Sequence, residues 1–117
     1  MSKFESPTGP VTLLDEQIAQ GDSGILFIGG NSRQAAICLE GKGTITSGVV
    51  TIEEAYYPDG STPYTGTWGP ITTVNGTDLS GNVQKFVRPM YSAWAVRVRI
   101  STAIGGGGTV TATGWAN

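Results

Sequence analysis

Apolar residues in this chain recur at every second position, in runs that are short. Trp94, Val96, Val98 and Ile100 alternate with Ala95, Arg97, Arg99 and Ser101. A period of two puts successive side chains on opposite faces of an extended strand, so the first set is expected to face a core, Trp94 included. The same period runs through T-S-G-V-V-T-I-E-E-A, where Val50 and Ile52 share one face and Thr51 and Glu53 the other. That pattern predicts a half-buried antiparallel strand. In T-V-T-A-T-G-W, Val110 and Ala112 alternate with Thr109, Thr111 and Thr113. Four glycines, Gly105 to Gly108, separate this run from the one ending near Ser101. The two runs are expected to form an antiparallel hairpin with the glycines at its tip.

The first half of the chain reads similarly, as apolar runs closed by Gly with Asn, Asp or Lys: V-T-L-L-D-E-Q-I-A-Q-G-D, I-L-F-I-G-G-N and Q-A-A-I-C-L-E-G-K-G. These are strands separated by turns. Leu13, Leu14 and Ile18 are also at helix-compatible spacing, so two helical turns over Leu13 to Gln20 stay open. Pro58, Asp59 and Gly60 stand in turn order and predict a hairpin or wide corner before an extended run around Trp68. The runs near 11, 25, 35, 45 to 55, 68, 83, 94 and 109 make about eight short strands. The expected fold is all-β: a single-domain antiparallel β-sandwich, jelly-roll-like, over residues 11–117. Residues 1–10, with two prolines around the single aromatic Phe4, have no periodic face and are expected to be a flexible arm that orders on a partner.

Composition narrows the function more than the fold. Gly and Pro fill 24 of 117 positions, and charged residues make up only 14%, against about 25% in an ordinary domain. Thr and Ser on the outer strand faces account for solubility, and such neutral faces and edges guard poorly against association. There is no histidine and one cysteine, Cys38, which removes His-based triads, the usual zinc ligand and an internal disulfide. A formal charge of -2 has the wrong sign for holding a polyanion, so nucleic acid is not an expected partner. No run is long and apolar enough for a membrane helix, and the first residues lack the apolar segment of a secretory signal.

Candidate chemistry is thin. Glu53 and Glu54 are neighbours, but adjacent strand residues face opposite ways, so the two carboxylates are not expected to share a site. The glycines at 105 to 108 lead into a strand rather than the helix of a phosphate loop, and E-G-K-G-T at 40 to 44 reads as a tight turn. Asp59 and Asp78 are isolated acids, too few for calcium. No catalytic, cofactor or metal assignment is made, and an enzyme is not expected. Tyr56, Tyr57, Tyr64, Trp68, Tyr91 and Trp115 form the more informative set, because exposed rings on a sandwich stack on sugars or fill partner pockets. Trp115 has the parity of the outward threonines. Arg97 and Arg99 project together, either to meet an acidic partner or to pair across strands with residues such as Glu53.

The stretch G-T-I-T-S-G-V-V-T-I-E-E-A, the D-G-S-T turn, Trp68 and A-V-R-V-R-I-S-T-A-I-G-G-G-G-T-V-T-A together resemble small all-β virion proteins of tailed bacteriophages. Head decoration, or cement, proteins are the members this length suits best. The likeness runs from about Gly43 to the end; residues 1–42 carry no matching motif. It implies a non-enzymatic structural protein, made in the host cytoplasm and located on the outer surface of the capsid. There it would bridge major capsid subunits as a dimer or trimer; the residues expected to make partner contacts, from the reading of the chain itself, are Phe4, Arg97, Arg99 and Trp115. The alternatives are a tail, fibre or baseplate component, also structural, and a carbohydrate-binding β-sandwich module.

Overall fold

The computed structural model describes residues 10–27, 35–55, 68–87 and 95–116. They form eight strands: β1 (Val11–Gln17), β2 (Gly21–Phe27), β3 (Ala35–Lys42), β4 (Ser47–Ala55), β5 (Gly69–Asn75), β6 (Gln84–Val87), β7 (Ala95–Gly105) and β8 (Thr109–Ala116). Leu13 to Gln17 belong to a strand, so the helical alternative does not hold there. The only helix among the described residues is one 3-10 turn, Gly76–Leu79. The arm through residue 9, with Phe4, lies outside the described residues, as do the Pro58-Asp59-Gly60 turn, four tyrosines and Trp94.

Two four-stranded antiparallel sheets pack face to face, in the orders β1-β8-β3-β6 and β2-β7-β4-β5. The order has a simple origin. If the chain is laid out as one long hairpin with its tip between β4 and β5, the arms pair as β4·β5, β3·β6, β2·β7 and β1·β8. Rolling that hairpin adds the β4·β7 and β3·β8 ladders and closes the two sheets. This is the double Greek key of an eight-stranded jelly roll.

The expected hairpin of the last two strands is not formed. β7 lies in one sheet and β8 in the other. Gly106 and Gly107 have φ of 105° and 96°, open to glycine and strained for other residues. They turn the chain onto the β3–β4 corner, where the Gly108 amide donates to the Thr44 carbonyl at 2.8 Å and the Thr46 amide to the Gly105 carbonyl at 2.9 Å. A side chain at Gly108 would collide with the Lys42 carbonyl. The glycines therefore carry the chain from one sheet to the other.

Between the sheets, Ile37, Leu39, Val50, Ile52, Val96, Val98, Ile100 and Val110 are completely buried. Burying one such side chain contributes about 1.5–3 kcal/mol relative to leaving it exposed. Leu79 from the 3-10 turn plugs one end of this core, and Gly41 on β3 leaves the room for it, since a Cβ there would overlap the Leu79 backbone. The Ile45 amide donates to Ser80 Oγ at 2.9 Å and the Gly43 amide to Asn82 Oδ1 at 3.0 Å, which ties the same end together.

Three of the four sheet edges are better guarded than the neutral composition suggests. β1 is displaced from regular pairing twice, with Glu16 at φ 51°, and β2 is displaced between Asp22 and Ile25. β5 is displaced opposite Ile52 and Glu53, next to Pro70. Irregularities of this kind spoil an edge as a template for further strands.

Candidate functional site

Each sheet has an outer face, and each carries one organised group of side chains. On the β2-β7-β4-β5 sheet, parity brings Arg97 and Arg99 out together, as the alternation implied. Glu53 lies directly opposite Arg97 and Thr51 opposite Arg99. Arg97 Nε donates to Glu53 Oε1 at 2.7 Å, with 17% and 12% of the two side chains exposed. Of the two readings open for the arginines, cross-strand pairing is the one realised at Arg97. Asp22, from β2, stands 3.5 Å from Arg97 and 3.7 Å from Arg99. Asp22 is thus shared. Arg99 Nε is buried without a hydrogen bond of its own.

Two further contacts cover this face. The Arg97 guanidinium carbon sits 4.4 Å from the centre of the Trp68 ring, within the range of a cation–π contact. Ser101 Oγ reaches the Val49 carbonyl at 3.3 Å and Thr51 Oγ1 at 2.9 Å. Having one proton, Ser101 donates it to the carbonyl and accepts from Thr51. As a result Thr51 and Glu53 are buried although they lie outside the core. The half-buried strand expected here is covered on both faces.

The β1-β8-β3-β6 sheet presents a different chemistry. Ile37 and Leu39 point inward, so Cys38 between them points out, opposite Phe86 on one side and Thr113 on the other. Trp115 keeps the parity of the threonines, is half-buried, and meets Phe86 edge to face with ring centres 6.4 Å apart. Phe86 is 59% exposed, the most exposed of the large apolar side chains on the described residues. Sequence reading singled out Trp115 but missed Phe86: the four-residue β6 is too short to show a period, and its partner is remote in sequence. Burial, and then the charge of Glu40, push the Cys38 thiol above the ordinary thiol value.

An open cleft of about 430 Å³ separates β1 from β2 at the side of the sandwich, lined by Thr12, Leu14, Asp15, Gln17, Gln20 and Asp22 among others. Among the described residues no three His, Cys, Asp or Glu side chains group to hold a metal ion, and no helix is long and apolar enough to cross a membrane. Of the expected contact residues, Arg97 and Arg99 fall on one outer face and Trp115 on the other, so they do not form one site. Compared with protein-family models, with curated proteins and with solved structures, the chain gives no match.

Proposed function

We propose that the chain is a non-enzymatic structural virion protein, a capsid decoration protein that binds the outside of a phage head and bridges its major capsid subunits. The observation that carries this reading is the outer face of the β1-β8-β3-β6 sheet. There Phe86 and Trp115 form an apolar centre, and Thr113, Thr111 and Thr109 lead away from it along β8, opposite Cys38, Glu40 and Lys42, so that polar groups border it on that side. An apolar centre with a polar rim is the usual anatomy of a protein-binding surface, and aromatic residues are enriched at such centres. The arginines favour the same face by elimination, because Arg97 is held by Glu53 and Trp68. The resemblance to phage head proteins supplies the partner. In mechanical terms, each copy seated across a seam would have to be peeled away before the shell could expand.

A sugar-binding role is the second reading, favoured by the exposed Phe86 ring on a fold type that lectins also use. One pair of experiments separates them. Purified protein is mixed with undecorated shells of the particle it serves, and is applied to a glycan array. Stoichiometric binding to shells with a silent array supports decoration; array binding abolished by Phe86→Ala, with bare shells, supports the sugar reading.

A further inference from the structure

Three of the four sheet edges are irregular, and the fourth is not. β6 pairs with β3 from Glu40 opposite Gln84 to Ile37 opposite Val87 without a shift, and among the described residues no strand lies on its other side. The Gly41 amide donates to the Val83 carbonyl at 3.0 Å. The Val83 amide itself donates back to the Leu79 carbonyl at 3.3 Å, so only its carbonyl faces β3; in the alternation of an antiparallel pair Lys85 and Val87 then turn their main-chain groups toward β3, and Gln84 and Phe86 turn theirs to the open edge. Val83 and Phe86, 41% and 59% exposed, flank that edge with apolar surface.

We infer that the β6 edge is a docking site for an extended, acidic segment of a partner protein, which adds to the sheet as a strand beside Gln84–Val87. Charge selects the occupant. Lys42, Arg97 and Arg99 each stand in an ion pair, whereas Lys85, the remaining described basic residue, has none. A lysine in the middle of an edge repels a like edge and attracts a carboxylate on an incoming strand. Size excludes a second copy as the main occupant. Four residues of edge fall far short of the roughly 800 Å² per partner of a standard interface, but suit a peptide held by main-chain hydrogen bonds. The opposed position on the incoming strand lies beside Phe86, so an apolar side chain there would extend the Phe86–Trp115 pair. This edge chemistry is independent of the particle on which the chain works.

The test is amide hydrogen exchange of the full chain with a capped seven-residue peptide alternating valine and glutamate. Exchange at Gln84 and Phe86 is expected to slow at least about tenfold at saturation, while edge amides of β1, β2 and β5 are unchanged. A lysine-for-glutamate peptide should protect weakly, and Lys85→Glu should reverse the preference. Gln84→Pro removes an outward N–H without touching the β3 ladder and should abolish protection. Three results would overturn the inference: no protection at Gln84 and Phe86, equal protection by both peptides, or protection that rises with protein concentration alone, which would make the occupant a second copy.

Discussion

Arg97 and Glu53 face each other across β7 and β4, joined at 2.7 Å, and both are largely withdrawn from water. The pair is held from the sides as well: Asp22 approaches the guanidinium from β2, and the Trp68 ring lies against it. A charge pair in this position ties three strands of one sheet together. It also makes each member dependent on the other.

Glu53→Ala leaves a nearly buried guanidinium with only the more distant Asp22, and is expected to destabilise the fold by about 2–4 kcal/mol. The double change Arg97→Met with Glu53→Leu should cost clearly less than the two single changes added together. Urea unfolding of the four proteins measures the coupling. Additive losses would mean that the pair contributes nothing beyond packing.

Gly41 and Gly24 offer a contrast that depends on packing alone. A Cβ at Gly41 overlaps the Leu79 backbone, whereas one at Gly24 meets nothing within 4 Å. Gly41→Ala should lower stability by about 1–3 kcal/mol, and Gly24→Ala should stay within about 0.5 kcal/mol of the parent. Thermal unfolding distinguishes them; similar losses at both sites would contradict the placement of the 3-10 turn.

Cys38 gives a pH-dependent readout of the outer face. Burial and Glu40 raise its pKa, so the folded chain holds less reactive thiolate at a given pH than the unfolded chain does. Modification by a thiol reagent is expected to be slower in the native protein from pH 7 to 9. The native rate should continue to climb at pH values where the unfolded chain has levelled off. A native thiol that reacts faster would contradict the surroundings described for it.

Alternation made the strands legible, since it needs only neighbours in sequence. Val50 and Ile52, and Val96, Val98 and Ile100, are buried where a period of two put them. Alternation assigns faces but does not name partners. For this reason the crossing from β7 to β8 reads in the sequence as a hairpin: Gly105 to Gly108 permit either path, and the choice is made by hydrogen bonds to Thr44 and Thr46, about sixty residues earlier. Trp68 over Arg97 and Phe86 against Trp115 were hidden for the same reason, each being a contact between segments that meet only after the hairpin rolls up.

Phe86 is mostly in water in the free protein, so Phe86→Ala should change stability by less than about 1 kcal/mol. If the surface it forms with Trp115 is the contact, the same change should weaken binding to a shell at least about tenfold. A loss of binding with normal unfolding separates a contact residue from a structural one.

Counting copies bound to undecorated shells by electron microscopy, at low salt and in 1 M salt, addresses the central claim most directly. Apolar burial around Phe86 and Trp115 predicts full occupancy at both, with the β1-β8-β3-β6 sheet against the shell, because exposed ion pairs contribute only about 0–1 kcal/mol each and are screened. Shells that stay bare at low salt, or copies seated on the arginine-bearing sheet and released by 1 M salt, would contradict it.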